Sequence, residues 1–71
     1  METLSITTEF IRLQDLMKLT GLAATGGEAK MRIQAGEVSV NGEICLQRGK
    51  KLRQGDTASF QGRTFQVTYA P

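Results

Sequence analysis

Four basic residues fall between Cys45 and Arg53: Arg48, Lys50, Lys51 and Arg53, with no acid among them. Cations spaced this closely attract a polyanion, although a charge run is also the ordinary make-up of a solvated loop. A second segment, Thr25-Gly26-Gly27-Glu28, has the residue types of a helix start. There the Thr25 hydroxyl is expected to accept from the Glu28 amide, while the Glu28 carboxylate reaches back to the Thr25 amide. Gly26 and Gly27 leave first-turn amides uncovered, where the helix dipole places roughly half a positive charge. Those amides suit a phosphate oxygen, with Lys30 one turn on as charge partner. The alternative is that the glycines serve only the turn.

Other chemistry is scarce. The 71 residues include no histidine and one cysteine, Cys45. Zinc sites and disulfide staples are therefore not expected, and Ser-His or Cys-His nucleophiles cannot be assembled. Asp15, Glu28 and Asp56 are available carboxylates, but a helix face, a cap and a turn account for them. A chain of this length buries only roughly 60% of its unfolded surface, which leaves little room for a catalytic cleft. The expectation is a protein that is not an enzyme, with no cofactor, no metal and no small-molecule substrate.

The net charge is only +2, yet it is unevenly placed. Residues 1 to 11 hold Glu2 and Glu9 and no base; residues 12 to 63 hold all nine bases against five acids. The N-terminus has neither a basic region nor an apolar run of signal-peptide length, and no stretch is long enough to span a bilayer. A cytoplasmic protein without membrane contact is expected.

The elements that must position these residues follow from periodicity. Leu4, Ile6, Thr8 and Phe10 alternate as in a short strand. Leu13, Leu16, Met17 and Thr20 then mark one face of a helix over 12 to 20, with Gln14, Asp15 and Lys18 turned away and Gly21 ending it. A second helix follows Thr25. Ala29 and Ile33 share its inner face and Gly36 stops it in the left-handed conformation. Arg32 falls beside the buried face and is expected to run its stem along apolar surface with its head in water. Val38 and Val40 alternate before Asn41-Gly42, a hairpin signal, because both residues tolerate the positive φ of a type I′ turn. After a run from Glu43 to Leu46 come the basic loop, a Gln54-Gly55-Asp56 turn, and Ala58 and Phe60 leading to a second tight turn at Gln61-Gly62. Phe65, Val67 and Tyr69 alternate afterwards. Phe60, Phe65 and Tyr69 are assigned to the core rather than to base stacking. The fold class is α+β: two short helices packed against a small, mainly antiparallel sheet, in a single domain over 1 to 71.

The stretch from Arg12 to Gly42, RLQDLMKLTGLAATGGEAKMRIQAGEVSVNG, resembles the S4 RNA-binding domain. The matching positions are Arg12, Leu13, Gly21, Thr25, Glu28, Ala29, Lys30, Ile33, Gly36, Val38, Val40, Asn41 and Gly42, without a gap. The T-G-G-E-A-K turn, Arg48-Gly49-Lys50-Lys51-Leu52 and Gly55-Asp56 are similar to short bacterial proteins consisting of this domain alone, so the likeness covers about residues 9 to 69. It departs from the pattern at Gln14, where Asp is common, at Gly26, where many members carry Arg, and at Arg32, a usual Leu position. The resemblance implies a module that binds structured ribosomal or transfer RNA, in association with the ribosome.

Together these features assign an RNA-contacting surface to Lys18, Gly26, Gly27, Lys30, Arg48, Lys50, Lys51 and Arg53, on a monomer. The helices form one wall of a shallow positive surface and the basic loop the other. Phosphate contacts position a protein without reading sequence, so recognition by the shape of a folded RNA is expected. The alternative is an interaction module whose basic face docks on an acidic protein partner, for example a ribosome-assembly component.

Overall fold

The computed structural model describes residues 1–71. Its elements in chain order are β1 (Glu2–Ile6), β2 (Ile11–Arg12), α1 (Leu13–Leu19), α2 (Gly26–Gln34), β3 (Val38–Val40), β4 (Glu43–Ile44), β5 (Lys51–Leu52), β6 (Thr57–Phe60) and β7 (Arg63–Tyr69). Five strands form one sheet in the order β1-β7-β6-β3-β4, and β2 pairs with β5 in a separate two-stranded ladder. Every pairing is antiparallel except that of β1 with β7. The α+β class with a mainly antiparallel sheet is thus the observed one.

Turn chemistry sets the register of the sheet. Asn41 and Gly42 have φ of 51° and 84°, and Gln61 and Gly62 have φ of 50° and 79°. Positive φ at both central residues defines the type I′ turn, whose twist suits two antiparallel strands. Val40 accordingly faces Glu43, and Phe60 faces Arg63. Alternation does the rest: Val38, Val40, Ala58, Phe60 and Val67 join the core, while Ser59 and Thr64 pair hydroxyls at 2.9 Å on the outward face and Ser5 and Thr68 do so at 3.0 Å.

The helices close the core. Leu13, Leu16 and Met17 of α1 and Ala29 and Ile33 of α2 are fully buried and belong to the same cluster as the sheet residues. Truncating a buried side chain such as Leu16 or Ile33 to Ala costs about 2–5 kcal/mol, a large share of the stability of so small a chain. Helix α1 ends where the Thr20 hydroxyl donates to the Leu16 carbonyl at 2.7 Å, just before Gly21 at φ +81°. Helix α2 ends in a Schellman motif: the Gly36 amide donates to Ile33 and the Glu37 amide to Arg32, with Gly36 at φ +78°.

Three sequence expectations are corrected. The first strand stops at Ile6; Thr7 to Glu9 bend away, the Thr8 hydroxyl donates to the Phe10 carbonyl at 2.8 Å, and Phe10 lies outside any strand. Alternating residue types continued past the point where β7 stops offering partners. Glu28 reaches the amide of Ala24, at 2.6 Å, rather than that of Thr25, although Thr25 does accept from the Glu28 amide at 3.1 Å. Tyr69 is 40% exposed, because it ends β7 beyond the last core layer. Arg32 ends at the surface as expected, its side chain 36% exposed, where its guanidinium meets Glu37 at 3.3 Å and Glu28 at 4.0 Å and lies over the Phe60 ring.

Candidate nucleic-acid interface

The basic loop is fastened to the start of α1. Arg12, the cap residue of that helix, supplies no side-chain cap. Instead the first two helical amides, of Leu13 and Gln14, donate to the carbonyls of Lys50 and Arg48 at 2.9 and 3.0 Å. The loop therefore satisfies amides that a Ser or Asp cap would otherwise take. The β2–β5 ladder continues the attachment, with Arg12 opposite Lys51 and Ile11 opposite Leu52. Leu52 is fully buried, and Lys50, Lys51, Arg48 and Arg53 are exposed around it. One buried leucine anchors four outward cations.

The far end of the loop is held by the motif residues. Asp56 accepts from the Arg53 amide at 2.8 Å and from the Asn41 side-chain amide at 3.2 Å. The Asn41 carbonyl oxygen in turn accepts from the Thr57 amide at 2.9 Å. Asn41 thus makes the hairpin turn and also ties it to the turn below Arg53.

Phe10 gathers part of this charge. Lys51, Arg53 and Arg12 lie over its ring at 4.7, 5.5 and 5.6 Å from the centroid. None of the three forms an ion pair; the protein's ion pairs join Lys18 to Asp15, Arg32 to Glu28 and Glu37, and Arg63 to Glu2. Six of the nine basic residues (Arg12, Lys30, Arg48, Lys50, Lys51 and Arg53) consequently keep their charge uncompensated by any carboxylate within 4.0 Å. Arg12, a matching position of the S4 resemblance, was not assigned to the contact surface from the sequence. Its strand pairing with Lys51 was the missing signal, and β2 and β5 are too short to show periodicity.

The remaining candidates sit elsewhere on the helices. Lys18 is exposed on α1 but shares its charge with Asp15 at 3.4 Å, which makes it a weaker contact than the loop lysines. Lys30 is exposed on α2. No hydrogen bond or ion pair joins α2 to the basic loop. Gly26 and Gly27 open α2, and their amides make no hydrogen bond. Neither has a positive φ, and an added Cβ would meet nothing within 4 Å at Gly26 and only the Thr25 Oγ1 at 3.9 Å at Gly27. Turn geometry therefore does not demand glycine at either position. The Glu28 carboxylate lies against the same first turn, and Arg32 answers part of its charge.

Asp15, Glu28 and Asp56 are each engaged in an ion pair, a cap or a turn, and no group of three or more Cys, Asp or Glu side chains has metal-binding geometry. No helix is long and apolar enough to cross a membrane.

Known proteins resemble this chain in sequence and fold. The family model described as the S4 domain matches residues 4–68. The chain is similar to YbcJ of Escherichia coli (strain K12), 39% identical over 57 residues, covering 80% of this chain and 81% of that protein. It is 42% identical over 65 residues to RlbA of Bacillus subtilis (strain 168), whose name assigns it to ribosome maturation, covering 90% of this chain and 92% of that one. The solution structure of YbcJ from E. coli, described as revealing an ALFAL motif involved in RNA-binding, superposes with a TM-score of 0.72 at 36% identity, over 96% of this chain and 87% of that chain.

Proposed function

The chain belongs to the S4 domain family, and from that premise we propose that it is a non-catalytic RNA-binding protein that holds structured RNA, ribosomal or transfer RNA, through phosphate contacts on a preorganised basic surface. The observation that carries the proposal is the loop of Arg48, Lys50, Lys51 and Arg53, pinned to α1 and joined by Arg12, with no carboxylate paired to any of the five. A merely solvated loop has no need of two helix amides, a buried leucine and an aromatic ring to hold its cations in place. The helix-start amides of Gly26 and Gly27, with Lys30, form a second phosphate contact in this proposal, supported by their freedom from hydrogen bonds and from steric need. Lys18 contributes at the margin. The protein acts as a monomer in the cytoplasm, on the ribosome or its precursors, a setting supported by the likeness to a relative named for ribosome maturation.

One observation favours a second reading, docking on an acidic protein. Ile44 and Leu46 are 66% and 59% exposed and line a groove together with Lys50. Recovery of the protein from lysate with and without ribonuclease separates the two. Under the RNA reading its large partner is lost with ribonuclease, and crosslinked fragments sequence as ribosomal or transfer RNA. A partner that survives the digestion, with no crosslinked RNA, overturns it.

A further inference from the structure

Phe10 and Arg12 belong to two features at once. Besides carrying the cationic cluster, they wall a groove of ≈ 570 Å³ at the junction of β1, β2 and α1. Its floor is apolar, with Ile6 and Ile11 buried beneath, and Leu19 forms its rim. Leu19 is 69% exposed, although Leu13, Leu16 and Met17 already satisfy the inner face of its helix. The only acid on the groove is Asp15, whose other engagement is with Lys18 at 3.4 Å.

A slot with an apolar floor, the hydroxyl residues Ser5, Thr7 and Thr8 along its wall and one carboxylate at its edge, opening beside unpaired cations, suits an unstacked base whose own phosphates lie on those cations. We propose that this groove is a subsite for a single unpaired nucleobase of the bound RNA, with the Asp15 carboxylate selecting guanine over uracil. The inference rests on the RNA-binding reading above. A carboxylate only accepts hydrogen bonds. The Watson–Crick edge of guanine offers two adjacent N–H donors, whereas that of uracil offers one N–H between two carbonyls that repel a carboxylate. Adenine and cytosine, with one exocyclic amine each, fall between. Phosphate contacts carry no sequence information; this groove adds it at one position, so the preferred RNA carries a bulge or loop rather than a continuous duplex.

The test uses one fully paired RNA hairpin and four versions with a single bulged G, A, C or U, measured by fluorescence anisotropy at fixed moderate salt. The parent protein is expected to bind the G bulge about fivefold or more tighter than the U bulge or the paired hairpin. Asp15→Asn, an isosteric change at a half-exposed position, should bring the G-to-U ratio close to one. Leu19→Ser, at an exposed position, should bring all bulged hairpins toward the paired one. Equal binding of all five RNAs by the parent protein, with affinity still falling steeply in salt, overturns the base subsite and leaves the phosphate reading standing. Binding to none of them at low salt overturns both. A guanine preference that persists in Asp15→Asn overturns the assignment of the edge contact.

Discussion

Arg12 and Lys51 stand directly opposite each other across the β2–β5 pair, and both lie over the ring of Phe10. Like charges opposed across strands are destabilising, and neither residue has a carboxylate to relieve it. The electron-rich ring face offsets part of that cost and fixes where the cations point. Such an arrangement is poor design for folding alone and suits a surface that completes its charge balance with a polyanion.

Phe10→Leu tests that relationship. Leucine keeps apolar bulk and removes the ring quadrupole, worth about 0.5–1 kcal/mol per cation at an exposed site. Freed side chains must also be ordered on binding, at about 0.5–1.5 kcal/mol each. RNA affinity should fall about fivefold, a little under 1 kcal/mol, with a Tm loss of about 5 °C or more. Titration and thermal melting on the same sample check it.

The start of α2 separates folding from binding. Thr25→Ala removes the hydroxyl that accepts from the Glu28 amide and should cost about 1 kcal/mol in denaturant unfolding. Gly27→Glu has room for its side chain and should fold, while covering the open amides with a negative charge. Its RNA affinity should drop. Unchanged affinity in the folded variant would return Gly26 and Gly27 to a local role in the helix start.

The fold was legible where single residues force the backbone. Asn41-Gly42 and Gln61-Gly62 announced their turns because positive φ restricts the residue types, and Thr25, Gly21 and Gly36 marked helix ends for related reasons. What stayed hidden depends on pairing between distant segments. Strand β1 joins β7 in parallel, and no local pattern specifies a partner more than fifty residues away. Likewise the basic loop was visible as composition, but its attachment to Leu13 and Gln14, and the recruitment of Arg12 and Phe10, arise from contacts across the chain. The Glu28 side chain missed its expected amide by one residue, a choice made by loop geometry before the helix.

Glu2 and Arg63 tie β1 to β7 with two hydrogen bonds, at 2.8 and 3.0 Å. The hydrogen bond from Arg63 holds the Glu2 carboxyl below its usual value of 4.5. A carboxyl whose folded value is depressed contributes stability above its unfolded value and loses it as the pH falls through the folded value. Glu2→Gln should therefore lower the Tm slightly at pH 7, with the difference from the parent vanishing in the acid range below 4.5. Salt should shrink the effect, because both groups are exposed.

Reversal of Lys50 and Lys51 to Glu removes two attractive contacts and adds two repulsive ones. Both side chains are exposed, and at position 51 the lost contact with the Phe10 ring is set against relief of the opposition to Arg12, so stability should change little, while RNA binding at moderate salt drops by about tenfold or more. Leu52→Ala is the opposite control: Leu52 is fully buried, and its truncation should cost about 2 kcal/mol or more of stability. A double reversal that binds structured RNA as well as the parent would reduce the loop to a solvated turn.

The most direct test of the phosphate surface is the salt dependence of binding to a structured RNA. About four to six phosphates neutralised by the six unpaired cations should give a slope of log affinity against log salt of about −3 to −5. Raising salt from about 50 to about 200 mM should then weaken binding about a hundredfold or more. A flat response over that range would contradict the account and favour docking on a protein partner instead.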